Sequence, residues 1–123
     1  ACKAVSGMPM VQFSLVSMLE MVDEGVLSME RLVQLMCHNP ATLFGIQERG
    51  FIREGMMADL VLVRREESPY TITSADVLSK CGWSPREGDA MHWRVMSTWV
   101  NGQRVWDGRK VDEDVHGEPL AFA

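Results

Sequence analysis

Residues 36–45, Met-Cys-His-Asn-Pro-Ala-Thr-Leu-Phe-Gly, place two metal-ligating side chains, Cys37 and His38, in succession. On a helix, adjacent residues point about 100° apart, so a thiolate and an imidazole so placed need further ligands to close a tetrahedral ion. The chain offers none in a recognisable pattern. The other cysteines are Cys2 and Cys81 and the other histidines His92 and His116, with no C-x-x-C, H-x-H or H-E-x-x-H. Cys37 and His38 are therefore expected to be structural. The stretch reads as a helix junction: one helix ends near His38, Asn39 caps the next, Pro40 takes its first position and Gly45 stops it.

Other chemistry-bearing residues have similarly plain readings. Asp59, at the start of Ala-Asp-Leu-Val-Leu-Val, is expected to bond a turn at a strand entrance, and Asp107-Gly108 to close a hairpin. Trp83, Trp93, Trp99 and Trp106 are expected in a core or an interface. There is no G-x-S-x-G elbow, no phosphate-binding glycine loop and no G-x-G-x-x-G. The residues themselves predict neither a catalytic set nor a metal-ligand set in this chain.

The elements that would position these residues come in two groups. Val11, Leu15, Met18, Leu19 and Val22 form one helical stripe that ends at Asp23-Glu24-Gly25, and Ser28 caps a second helix with Leu32, Val33, Leu35 and Met36 on its apolar face. With the segment after Asn39, three helices are expected in residues 10–45. Then the period becomes that of strands. Phe51-Ile52 reads as a short strand and Ala58–Val63 as a strand buried on both faces. Residues 64–93 read as irregular, with a helical turn at Ser74–Leu78. Arg94–Val100 and Gln103–Trp106 form a hairpin about Asn101-Gly102, a pair that readily takes positive φ.

Composition limits the function classes. The 123 residues allow one domain, and 46% hydrophobic with 24% charged residues is ordinary for a globular chain. Seventeen acidic against twelve basic residues, with the basic ones scattered, argue against nucleic-acid binding. Ten methionines and three unpatterned cysteines fit a reducing, cytoplasmic setting. Neither a membrane anchor nor a signal peptide is visible, and a start at Ala-Cys-Lys reads as a piece of a longer protein.

Three stretches in order, HNPATLFGI, RGFIREGMMADLVLV and VMSTWVNGQRVWDG, resemble the C-terminal end of the metal-dependent amidohydrolase superfamily. Within it, LSKCGWSPREG (residues 78–88) is most similar to dihydroorotases, and the segment from Ser6 to Ala41 resembles the family segment directly C-terminal to the Asp-His-Ala-Pro-His motif. One departure is Arg86, where the family usually carries an aromatic residue.

The resemblance implies an α/β fold: the last helices of a (β/α)8 TIM barrel in residues 1–48, and β-sandwich strands with a C-terminal extension in 49–123. It implies one or two zinc ions that generate hydroxide and polarise a cyclic amide, with every zinc ligand upstream of Ala1. Within the chain it implies substrate contact through the main chain of Ser6 and Gly7, where glycine lets backbone approach a ligand closely. The implied partners are the remainder of the same protein, a small-molecule substrate and further copies in a homo-oligomer. A non-catalytic scaffold subunit and a hydantoinase or allantoinase remain as alternatives.

Overall fold

The computed structural model describes residues 7–123. A 3-10 turn, Val11–Phe13, leads into helix α1, Ser14–Asp23, and the chain turns at Gly25 with φ of 72°. That left-handed conformation suits a residue without Cβ. The buried stripe is Phe13, Val16 and Leu19, and Val11 is 95% exposed. The expected stripe is thus rotated, because Phe13 and Val16 cluster with Ile72 and Met91 from the sheet side.

Helix α2, Met29–Val33, starts as expected at Ser28, whose hydroxyl accepts the Arg31 N–H at 3.2 Å. It does not end at His38. The chain continues through a π turn, Gln34–His38, into α3, Asn39–Leu43, so Asn39 is no cap. Its own conformation is helical (φ −64°, ψ −45°), and its N–H reaches back to the Gln34 carbonyl. A proline inside a helix lacks the N–H for its bond and presses on the carbonyl one turn back. The wider π turn relieves that pressure and lets one helical path run on through Asn39-Pro40. Gly45 ends it as expected, with φ of 62°.

Phe51-Ile52 forms no strand. Gly50, at φ 86°, closes on the preceding helix so tightly that a Cβ there would overlap Ala41 and sit 2.9 Å from the Cys37 carbonyl. This closure places the Phe51 ring on His38, with centroids 4.4 Å apart and planes 10° from parallel. Stacking replaces strand pairing here.

Strands β1 (Leu60–Thr71), β2 (Ala90–Val100) and β3 (Gln103–Trp106) form an antiparallel sheet in the order β1-β2-β3. Both β1 and β2 extend into the region expected to be irregular. Arg65 pairs with Trp93 and Tyr70 with Met91, so a bulge takes up Glu66 to Pro69 opposite His92. Pro69 is tolerated because a bulged residue need not donate to the ladder. The Asn101-Gly102 turn has φ of 52° and 77°, the signature of a tight hairpin.

β1 lies at the sheet edge and is not buried on both faces: Leu60, Val61 and Leu62 are 40%, 47% and 54% exposed. The core is thin. Among the described residues seven hydrophobic side chains are buried while eighteen large ones stand exposed, which leaves much apolar surface for other structure to cover. Among the described residues no helix is long and apolar enough to cross a membrane.

Candidate functional site

The described chain begins at Gly7; Ser6, the other expected substrate contact, lies outside the described residues. Gly7 is exposed, and no heavy atom beyond its chain neighbours lies within 4 Å of the place a Cβ would take. Local packing therefore does not require glycine there. The loop from Gly7 is tied to the helix at Met10. The Met10 N–H donates to the Met8 carbonyl at 3.0 Å, and the Met10 carbonyl accepts the Phe13 N–H at 3.0 Å and the Ser14 hydroxyl at 2.7 Å.

Beside the start of the helix lies a groove of about 670 Å³, whose walls include Val11, Phe13, Val95 and Trp106, with Asp76 and Arg94 among its polar groups. Arg94 lies over the Tyr70 ring, 3.8 Å from its centroid. Burial pushes the Tyr70 phenol up, opposed by the Arg94 charge. The groove is an apolar channel with several polar groups, and among the described residues none of its nucleophiles is paired with a base.

Three potential ligands do converge elsewhere: Glu20, Asp23 and His92, with one donor atom from each within 4.8 Å of the others. Their bonding suits a structural latch. Glu20 Oε1 accepts the His92 and Trp93 N–H groups at 2.5 and 3.1 Å, and Oε2 faces His92 Nδ1 at 3.0 Å. Asp23 Oδ2 accepts Arg65 Nε at 2.7 Å and the Trp93 indole N–H at 3.2 Å. N–H donors bond to Glu20 Oε1 and Asp23 Oδ2, and Glu20 Oε2 faces the His92 ring, so the convergence is accounted for by hydrogen bonds between the helix and the sheet. Glu20 serves β2 where the bulge interrupts its ladder with β1, and pins α1 to the sheet. Sequence reasoning missed this latch because its members lie about 70 residues apart with no spacing rule to connect them.

The remaining candidates lie apart from this latch. Asp59 pairs with Arg49 and accepts the Asn101 N–H at 2.8 Å, which clamps the hairpin turn. Asp107 Oδ1 accepts the Arg109 and Lys110 N–H groups at 2.9 Å each, and these bonds hold its carboxyl below the usual range. Cys37 is exposed, and His38 stacks on Phe51. The Ser79 hydroxyl, 3.2 Å from Cys81 Sγ, pulls that thiol below its ordinary value, followed by backbone bonding at Trp83. Among the described residues no histidine or carboxylate bonds to Cys81, so it lacks the base of an activated nucleophile. Arg86 Nε lies 3.0 Å from the Asp89 carboxylate.

The described residues thus form a helical segment latched to a small antiparallel sheet, with an open loop beside the start of the helix. The sequence pattern described as "Amidohydrolase family" matches residues 17–106, and the chain belongs to that family. It is 40% identical over 108 residues to a dihydroorotase of Halobacterium salinarum, a match covering 88% of this chain and 25% of the relative. An allantoinase of Bacillus velezensis is 32% identical over 101 residues, 80% of this chain and 22% of that protein. Among solved structures, an L-hydantoinase (dihydropyrimidinase) of Arthrobacter aurescens superposes with a TM-score of 0.81 at 32% identity, over 89% of this chain and 25% of its own. The chain thus spans about a quarter of the length of the relatives it matches.

Proposed function

We propose that this chain is the C-terminal portion of a zinc-dependent dihydroorotase, which reversibly cyclises N-carbamoyl-L-aspartate to dihydroorotate in pyrimidine biosynthesis in the cytoplasm. The observation that carries the reading is the 40% identity to a dihydroorotase over most of this chain. The LSKCGWSPREG stretch and the late Val-Asn-Gly hairpin support it. On this reading residues 1–48 are the last loop and helices of a TIM barrel, and 49–123 are sandwich strands and their extension. On the same reading, and as the family resemblance implies, zinc is held by residues upstream of this chain, and Glu20, Asp23 and His92 serve as a latch between helix and sheet. The chain's own contribution to the site is the loop through Ser6 and Gly7, which offers backbone groups to the substrate. Alone it hydrolyses nothing. It works joined to the remainder of the same protein, as a homo-oligomer.

The L-hydantoinase superposition favours a second reading, a hydantoinase-type cyclic amidase that acts on a different ring. Assays of the complete polypeptide with dihydroorotate, hydantoin and allantoin separate them. Turnover of dihydroorotate well above the other two is expected. Preference for hydantoin or allantoin transfers the assignment, and no turnover of any of the three points to a scaffold.

A further inference from the structure

We propose that Gln12 is a positioning residue, whose side-chain amide couples the turn of residues 73–79 to the loop Gly7–Met10 and so holds that loop's backbone for a ligand. The inference rests on the reading of this loop as a substrate contact. Gln12 Nε2 donates to the Asp76 carbonyl at 2.6 Å, and the Leu78 N–H donates to Gln12 Oε1 at 2.9 Å. Both ends of one primary amide thus engage backbone groups two residues apart, as a neighbouring strand would. An apolar side chain could make neither bond and a carboxylate only one.

The turn that Gln12 grips is itself fixed. Asp76 Oδ2 accepts the Thr73 N–H at 2.8 Å and the Thr73 hydroxyl at 2.7 Å, which closes a short helical turn. On the other side, Gln12 lies between Met10, whose carbonyl ties the loop down, and Phe13, whose N–H makes one of those ties and whose ring is buried in the core. A displacement of the turn therefore reaches the loop through the Gln12 amide, beside the packing of Val77 against the cluster that holds Phe13. Gln12 is exposed, so its hold on the turn comes from these two bonds rather than from packing.

The test uses the polypeptide that carries this chain, with Gln12→Ala and Gln12→Glu. For Gln12→Ala, amide exchange is expected to quicken roughly fivefold or more at Leu78 and also at Met10 and Phe13, as loss of a modest hydrogen-bond contribution allows, with Val95 unchanged. KM for the cyclic amide should rise several-fold while kcat and the melting temperature hold. Gln12→Glu, which keeps the acceptor for Leu78, should fall between. Faster exchange confined to Leu78 overturns the coupling, whatever the activity. An unchanged KM in an active enzyme overturns the positioning role. If the unaltered polypeptide turns over no cyclic amide, the substrate reading fails and exchange at Met10 and Phe13 alone decides the coupling.

Discussion

A glycine before a helix either bares its backbone to a ligand or simply needs no side chain, and Gly7 allows the two to be told apart. Its surroundings are open, so Gly7→Ala should leave the melting temperature unchanged or slightly raised, since alanine narrows the unfolded ensemble. If substrate approaches the backbone there, KM in the complete enzyme should nevertheless rise; equal KM values would make the loop a bare connection. Asn39 offers a complementary case, because it sits on an exposed helical surface and caps nothing. Asn39→Ala should be neutral or stabilising by up to about 0.6 kcal/mol, from helix propensity alone. A thermal melt that shows a loss of about 1 kcal/mol instead would restore the capping role that the Asn-Pro pair suggests in sequence.

The elements formed where local chemistry was decisive. Asn101-Gly102 turned the hairpin and Gly25 and Gly45 stopped helices, because positive φ is a property of the residue itself. Where partners were distant, sequence carried less: the π turn depends on how the helix accommodates Pro40, and the length of β1 depends on a bulge that exempts Pro69. The Glu20–Asp23 latch and the Gln12 amide are also long-range and left no periodic trace. The turn at Ser74–Asp76 is testable through its cap. The Thr73 hydroxyl, then the Thr73 N–H, hold the Asp76 carboxyl below the usual carboxylate range. A depressed folded pKa contributes stability above the unfolded value and loses it as pH falls through the folded one. Asp76→Ala removes the acceptor of both Thr73 bonds and should cost up to about 1 kcal/mol at pH 7, lessened by solvent screening at this open turn. The gap from the unaltered protein should close as pH falls below about 4. A gap that persists in acid, measured by denaturant titration, would show that the carboxylate charge is not what holds the turn.

At the scale of the whole molecule, these elements are expected to belong to a larger fold. The family motifs were legible in sequence because they are local strings, whereas the exposure of Leu60, Val61 and Leu62 emerges only once β1 is seen at the sheet edge. An unpaired edge with apolar side chains on both faces invites another strand, and the groove beside α1 adds further uncovered apolar surface. The 123-residue chain by itself should therefore associate or unfold without cooperativity. Light scattering combined with a thermal melt of the purified chain tests this directly. We expect a mass well above 13.8 kDa or a broad, non-cooperative transition; a compact 13.8 kDa monomer with one sharp transition would show that the chain is a self-sufficient fold.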